Sequence, residues 1–213
     1  MEPSQSASRI VSPVEFLGPE GRIEGLWADP GTGLPAAVIG HPHPAHGGSM
    51  HSKVVHTVYR VLDRAGHPTL RFNFRGVGRS AGAYSGWNGE TGDVAAAAAF
   101  ARERTGLPKL WASGFSFGGW VGLQWALSDP GVERFIALGV PANNHSFEFL
   151  DRLPWPLAIV QGEADQYGNP AALRLLTTKW ERLGPVVVKF VNGADHFFTG
   201  KLTELTQALE EIL

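Results

Sequence analysis

The stretch Leu-Trp-Ala-Ser-Gly-Phe-Ser-Phe-Gly-Gly, residues 110–119, points most directly to the fold of this chain. Residues 110–115 are mostly apolar and predict a buried β-strand, whereas residues 117–127 carry a helical pattern. The pentapeptide at 114–118 fits the pattern G-x-S-x-G, which places a serine on a sharp turn between a strand and a helix. Ser116 is therefore predicted to present its hydroxyl at the end of the strand, as the nucleophile of an acyl-transfer reaction.

A second serine fits the same pattern, at residues 78–82, but its context differs. Ser80 has no strand immediately before it and no helix after it, and its glycines belong to the loop that follows a predicted strand at 69–74. A chance match is not rare in a chain with 27 glycines, so the context has to decide. We predict Ser116 as the nucleophile. A helix N-cap role for Ser116, and a nucleophile role for Ser80, stay open as alternatives.

Length and composition restrict the class of protein. The 213 residues predict one domain over 1–213, with residues 1–9 as a flexible tail and not a signal peptide. A net charge of −2 argues against a dedicated nucleic-acid binder, which would carry a basic stripe. The absence of cysteine excludes disulfides, thiolate metal sites and a cysteine nucleophile. No apolar run is long enough to predict a membrane span, and a cytoplasmic location is the default expectation.

Short apolar runs alternate with helical patterns along the chain. Runs at 10–16 and 22–28 are separated by Gly-Pro-Glu-Gly and predict an antiparallel hairpin. The later runs are unbroken apolar segments, as expected for strands buried on both faces, and lie at 36–40, 69–74, 110–115, 134–140, 157–161 and 186–191. Helical patterns occupy 51–65, 93–104, 117–127, 170–183 and 201–213. The alternation predicts an α/β fold with a mostly parallel eight-stranded sheet, an antiparallel N-terminal hairpin and helices on both faces.

A serine hydroxyl is a weak nucleophile and needs a base within hydrogen-bond reach. His196 lies in Gly-Ala-Asp-His-Phe, just after the predicted strand at 186–191. Loops that leave the carboxyl ends of parallel strands share one edge of the sheet, and Ser116 lies at that same edge. His196 is therefore the predicted base.

The acid is expected at another strand end, between the serine and the histidine in sequence. Asp165 follows the predicted strand at 157–161 and completes the chain order serine, acid, base. Glu163 leaves the same strand and is a competing candidate. Asp195 adjoins His196, and since neighbouring side chains on extended backbone point apart, we expect Asp195 to cap a turn instead.

Several segments outside this set carry a family resemblance. They are His-Pro-His-Pro at 41–44 with Gly-Gly-Ser-Met at 47–50, Arg-Phe-Asn-Phe-Arg-Gly-Val-Gly-Arg-Ser at 71–80, Gly-Phe-Ser-Phe-Gly-Gly at 114–119, and Gly-Ala-Asp-His-Phe-Phe at 193–198. With these motifs the chain resembles the α/β-hydrolase superfamily, and most closely the small bacterial hydrolases akin to dienelactone hydrolases. The resemblance spans residues from about 36 to the end. It implies the α/β-hydrolase fold but says little about the substrate.

Acyl transfer also needs two hydrogen-bond donors directed at the developing oxyanion. One donor is expected to be the backbone N–H of Phe117, the residue after the nucleophile. The resemblance implies that the second is the N–H of His43, in the loop that follows the strand at 36–40. Pro42 and Pro44 in that loop have no N–H to offer.

A cluster of four histidines raises the alternative of a metal site. These residues are His41, His43, His46 and His51. Prolines and glycines separate them and no carboxylate is near, so we predict no metal and no cofactor, and side chains that line or brace the loop. The remaining histidines, His56, His67 and His145, are predicted to lie at the surface or behind the site.

The predicted site is open. Only 17 positions separate residues 140 and 157, which leaves room for a loop or one short helix but for no large cap domain. Residues 143–150 could form a small flap. Candidate pocket walls are Trp87, Trp120, Phe115 and Phe117, of which Trp120 is more readily explained as a core residue. Arg75 and Arg79 could steer an anionic substrate, although a solvated loop is the simpler explanation.

Together these features predict a serine hydrolase that cleaves small, accessible carboxylic esters through an acyl-enzyme. A thioesterase, peptidase or acyltransferase with the same residues stays open, as do a non-catalytic interaction protein and a metal-dependent hydrolase. The expected partner is a small-molecule ester, with no nucleic acid and no membrane, and the chain is expected to act as a monomer or homodimer.

Overall fold

The computed structural model describes residues 11–213 and contains one sheet of eight strands. The strands are β1 (Val11–Gly18), β2 (Gly21–Ala28), β3 (Ala36–Gly40), β4 (Thr69–Phe72), β5 (Leu110–Phe115), β6 (Val132–Leu138), β7 (Leu157–Gly162) and β8 (Val186–Val191). Their order across the sheet is β1-β2-β4-β3-β5-β6-β7-β8. The pairs β1–β2 and β2–β4 are antiparallel and all other pairs are parallel, which confirms the predicted sheet and its N-terminal hairpin. The tail predicted at 1–9 lies outside the described residues.

Within residues 11–213 there are five α-helices, of which the first four connect strands and the last follows β8. They are α1 (Lys53–Arg64), α2 (Glu90–Thr105), α3 (Phe117–Ala126), α4 (Pro170–Trp180) and α5 (Leu202–Glu210). Helix α2 begins three residues earlier than the pattern predicts. The reason is the buried carboxylate of Glu90, which accepts hydrogen bonds from the N–H and hydroxyl of Ser85 and so fixes the first turn within the glycine-rich loop.

The helices cover the sheet on both faces, as predicted. On one face, α1 and α5 pack together over the sheet through apolar residues such as Val58, Leu62 and Leu209. On the other face, α2, α3 and α4 lie over a larger core, where the alanines of α2 allow its backbone to approach the strands closely. The parallel strands β3 to β7 are therefore largely shielded from water on both sides, which explains their apolar runs in the sequence, whereas the edge strand β8 stays partly exposed.

The connection between β6 and β7 contains no helix, so no large cap domain rises above the sheet. The loops after β3, β5, β7 and β8 leave the sheet at its carboxyl-terminal edge, where they meet. Within residues 11–213, none of the helices combines the length and the apolar character that crossing a membrane would require.

His41, directly after β3, ties two of these loops together. Its Nε2 atom accepts a hydrogen bond of 3.0 Å from the backbone N–H of Phe74, which follows β4. Its Nδ1–H donates to the carbonyl oxygen of Pro42 at 2.6 Å. The side chain is fully buried, and this burial lowers its pKa to about 4. The folded chain therefore holds His41 as a neutral imidazole.

This burial predicts a pH-dependent stability. As pH falls from about 6.5 to about 4, the unfolded chain gains a proton at His41 that the folded chain does not bind, so the free energy of unfolding decreases by about 3 kcal/mol. A His41→Gln variant lacks this component, and its stability should change less over the same pH range. Urea unfolding at several pH values measures both proteins. Equal pH dependence in the two would contradict the assignment.

Candidate active site

Ser116 occupies a strained turn between β5 and α3. Its backbone angles are φ 53° and ψ −113°, a region that non-glycine residues rarely adopt and that costs about 1–3 kcal/mol. A Cβ atom at Gly114 would overlap the backbone of Gly118, and a Cβ at Gly118 would overlap the backbone of Gly40 and His41. The two glycines of the pentapeptide are thus required by close backbone contacts, and the side chain between them borders the cavity.

The structure brings the three predicted side chains together in one chain of hydrogen bonds. His196 Nε2 lies 2.9 Å from Ser116 Oγ, and His196 Nδ1 lies 2.8 Å from Asp165 Oδ2. A carboxylate only accepts, so Nδ1 carries the proton and Nε2 is free to accept the hydrogen bond of the serine hydroxyl. His196 and Asp165 are buried, and Ser116 is half-buried.

The carboxylate of Asp165 is surrounded by donors. Oδ1 accepts from the backbone N–H groups of Tyr167 and Gly168, at 2.8 and 3.0 Å. Oδ2 accepts from the side-chain amide of Gln161 at 2.8 Å as well as from His196. These four donors provide the partners that a buried charge requires, and they fix the direction in which the carboxylate meets the imidazole.

Gln161, the penultimate residue of β7, was not found by sequence reasoning. It is fully buried, and its Oε1 accepts from the N–H of Val140 at 2.7 Å. Its Nε2 group also lies 2.7 Å from the carbonyl oxygen of Gly168. Gln161 therefore joins the loops that follow β6 and β7 beneath Asp165. The signal for this role in the sequence is a polar side chain near the end of an apolar strand.

The competing candidates lie elsewhere. Glu163 is exposed and does not border the cavity. Asp195 accepts hydrogen bonds from the N–H groups of Phe197 and Thr199, so it caps the turn as expected. Ser80 is buried away from the cavity, where its hydroxyl donates to the carbonyl of Asn73 and accepts from a backbone N–H of β2.

The two predicted oxyanion donors both belong to residues that border the cavity. Phe117 opens α3 and His43 follows β3, and within residues 11–213 neither backbone N–H has a hydrogen-bond acceptor. The His43 carbonyl accepts from the N–H groups of His46 and Gly48, which folds residues 43–48 into a tight turn. A Cβ at Gly48 would overlap the carbonyl of Pro42, so this turn depends on the glycine.

The side chain of His43 is also fixed. Nδ1 accepts from the N–H of Ala45 at 3.1 Å, so Nε2 carries the proton and donates to the hydroxyl oxygen of Tyr84 at 3.2 Å. Burial lowers the pKa of His43, and the nearby His46 and His145 lower it further. Both ring nitrogens of His43, like those of His41, are thus engaged by protein groups. Among residues 11–213, no three His, Asp or Glu side chains are arranged to hold a metal ion.

A cavity of about 560 Å³ opens above Ser116 and His196. Trp87, Phe115 and Phe117 line it, whereas Trp120 packs behind Trp87 with ring centroids 5.1 Å apart. His145, in the segment considered as a flap, lines the cavity with its ring centroid 4.1 Å from that of Trp87. This position corrects the expectation for His145, because the connection between β6 and β7 folds inward over the site.

Other polar residues considered from the sequence have structural partners. Arg75 is buried in an ion pair with Asp93, and Arg79 pairs with Glu24, so neither arginine borders the cavity. His67 is buried at the amino-terminal side of β4, with Nδ1 2.8 Å from the carbonyl oxygen of Pro35, and this corrects the expectation of a place at the surface or behind the site.

The position of Gln161 predicts a measurable effect on stability. Replacement by leucine removes the partners of buried groups on Val140, Gly168 and Asp165, and we expect the free energy of unfolding to fall by about 3 kcal/mol. Gln124→Leu is the matched control, because Gln124 Oε1 is buried without a hydrogen-bond partner among the described residues. Urea unfolding of both variants tests this, and equal losses would contradict the role given to Gln161.

Known proteins are similar to this chain in both sequence and fold. Residues 45–183 match the family described as the α/β hydrolase fold. An uncharacterized protein of Rickettsia prowazekii, RP471, is 35% identical over 94% of this chain and 87% of its own length. An α/β serine hydrolase homologue from Coxiella burnetii superimposes with a TM-score of 0.88 at 32% identity, over 98% of this chain and 100% of that one. A Xanthomonas campestris protein described as an α/β serine hydrolase without lid gives a TM-score of 0.85 at 31% identity, over 97% and 94% of the two chains. On this evidence, the chain belongs to the α/β hydrolase family.

Proposed function

We propose that this protein is a serine hydrolase that cleaves small, accessible carboxylic esters through an acyl-enzyme. The observation that carries the proposal is the unbroken series of hydrogen bonds from Ser116 through His196 to Asp165, at the floor of a cavity. A serine held only for structure would not need an imidazole at its hydroxyl and a buried carboxylate behind that imidazole. The serine hydrolase relatives support the same class of chemistry.

The first half of the reaction forms the acyl-enzyme. Ser116 Oγ attacks the ester carbonyl carbon while His196 Nε2 takes the hydroxyl proton. The bond between the carbonyl carbon and the alcohol oxygen then breaks, and the proton on Nε2 passes to that oxygen. Asp165 holds the imidazole in the reactive tautomer and stabilises its transient positive charge.

The second half releases the acid. With the alcohol gone, His196 takes a proton from a water molecule, whose oxygen attacks the acyl carbon. The bond to Ser116 Oγ breaks, and the serine regains its proton from Nε2. In both halves the backbone N–H groups of His43 and Phe117 are the proposed donors to the oxyanion. Each such donor typically contributes about 3 kcal/mol of transition-state stabilisation.

The shape of the site supports small substrates. Its volume of about 560 Å³ lies within the usual range for small-molecule sites, and no cap domain rises above it. The Xanthomonas relative is likewise described as lacking a lid. Among members of the family, the motifs at 41–50 and 114–119 favour the small hydrolases akin to dienelactone hydrolases, and we extend the proposal to that group.

Labelling with a fluorophosphonate tests the proposal, because this reagent reacts with a serine that a base activates. The wild type should be labelled, and Ser116→Ala should lose both labelling and hydrolysis, the latter by about 10⁶-fold or to background. Ser80→Ala is the matched control, since Ser80 lies in the other Gly-x-Ser-x-Gly segment and does not border the cavity. Labelling that persists in Ser116→Ala, or a folded wild type that is not labelled, would contradict the proposal.

A further inference from the structure

Two exposed aromatic side chains lie at the rim of the cavity. Tyr167 is 40% exposed and Phe197 is 51% exposed, and no other Phe, Tyr or Trp among residues 11–213 is as exposed as these two. Both line the cavity that contains Ser116. Large exposed apolar surfaces are unfavourable in water, and where they gather at a concave site they commonly mark a surface that binds a ligand.

The two rings are placed around the imidazole of His196. The ring centroid of Tyr167 lies 4.7 Å from that of His196, and the ring centroid of Phe197 lies 5.2 Å from it. The Tyr167 and Phe197 rings are 6.5 Å apart and nearly perpendicular, with an angle of 81° between their planes. They therefore form a corner with apolar walls beside the imidazole.

The backbone on both sides of this corner is fixed independently of the rings. The N–H of Tyr167 donates to Asp165, and its carbonyl accepts from the N–H of Asn143. The N–H of Phe197 donates to Asp195. Each residue nevertheless leaves a large share of its surface open to the cavity and to solvent. A role in binding is a better explanation for two large aromatic side chains at this position.

The chemistry of the proposed reaction decides which part of the substrate meets the corner. His196 Nε2 must deliver its proton to the oxygen of the departing alcohol, so that oxygen lies next to the imidazole. The carbonyl oxygen instead faces the N–H groups of His43 and Phe117. The alcohol part of the ester therefore extends past His196, and Tyr167 and Phe197 are the exposed apolar groups beside it.

We propose that Tyr167 and Phe197 form an aryl subsite for the alcohol part of the substrate, and that the preferred substrates are esters of arylmethyl alcohols or of phenols. This inference rests on the proposed hydrolase function and adds a substrate class to it. Aromatic rings pack edge-to-face or offset at centroid distances of about 4.5–7 Å, which a substrate ring against this corner could adopt.

The test compares the hydrolysis of benzyl acetate and cyclohexylmethyl acetate. Both are acetates of primary alcohols with a six-membered ring, and they differ in whether that ring is aromatic. The ratio of their kcat/KM values is measured in the wild type, in Phe197→Leu and in Tyr167→Leu. Phe190→Leu is the matched control, because Phe190 lies on β8 under the side chain of Arg174 and does not border the cavity. Any intrinsic difference in reactivity between the esters is common to all four proteins.

The wild type should favour the benzyl ester over the control ester by about three- to tenfold, the range expected for aromatic pairing. Each of the two subsite variants should lower this ratio by about threefold, and Phe190→Leu should keep it. If both esters are hydrolysed but the subsite variants leave the ratio of the kcat/KM values unchanged, the aryl subsite is overturned and the hydrolase function stands. If the folded wild type showed no hydrolysis and no fluorophosphonate labelling, both the aryl subsite and the hydrolase function would be overturned.

Inhibition of the wild type by the two free alcohols gives a measurement that depends on no variant. Benzyl alcohol should inhibit hydrolysis of a common ester at concentrations about three- to tenfold lower than cyclohexylmethanol. Equal inhibition by the two alcohols, or stronger inhibition by cyclohexylmethanol, would also overturn the subsite.

Discussion

The close contact between the backbones of β3, β5 and α3 is the constraint on which the rest of the site depends. At Gly114 and Gly118 no Cβ atom would fit, and a Cβ at Gly40 would lie only 3.1 Å from Gly118 Cα, so the start of α3 lies directly against the end of β3. This contact forces Ser116 into its strained conformation and brings the loop after β3 alongside it. One packing requirement thus places the proposed nucleophile and both proposed oxyanion donors in the same small region of the cavity.

Buried polar groups hold the surrounding loops in fixed positions around this contact. His41 connects the ends of β3 and β4 as a neutral imidazole, and Gln161 connects the loops after β6 and β7 beneath Asp165. Both side chains are fully buried and use their polar atoms on neighbouring backbone or carboxylate groups. Because an unpaired buried polar group is costly, each loop has one well-determined arrangement. The positions of Ser116, His196 and Asp165 relative to one another follow from these connections.

The sequence predicts those features that local chemistry determines. The turn at Ser116 is recognisable because the two positions where a Cβ atom would not fit, and which therefore need glycine, lie within the same five residues as the serine. The parallel strands are recognisable because strands buried on both faces appear in the sequence as apolar runs. The inward fold of His145 and the exposed corner of Tyr167 and Phe197 depend on which loops meet in space. No pattern along the chain carries that information. Gln161 lies between these two cases: the sequence shows a polar residue near the end of an apolar strand, but only the structure shows its hydrogen-bond partners.

The proposed reaction requires Ser116 to form a covalent acyl-enzyme. The most direct measurement mixes the protein with an excess of p-nitrophenyl acetate, stops the reaction with acid during turnover, and determines the intact mass and the modified peptide by mass spectrometry. We expect a mass increase of one acetyl group, located on Ser116 in the peptide that joins β5 to α3. Turnover of the ester with no acetyl group on the protein, or with an acetyl group only at another residue, would contradict it.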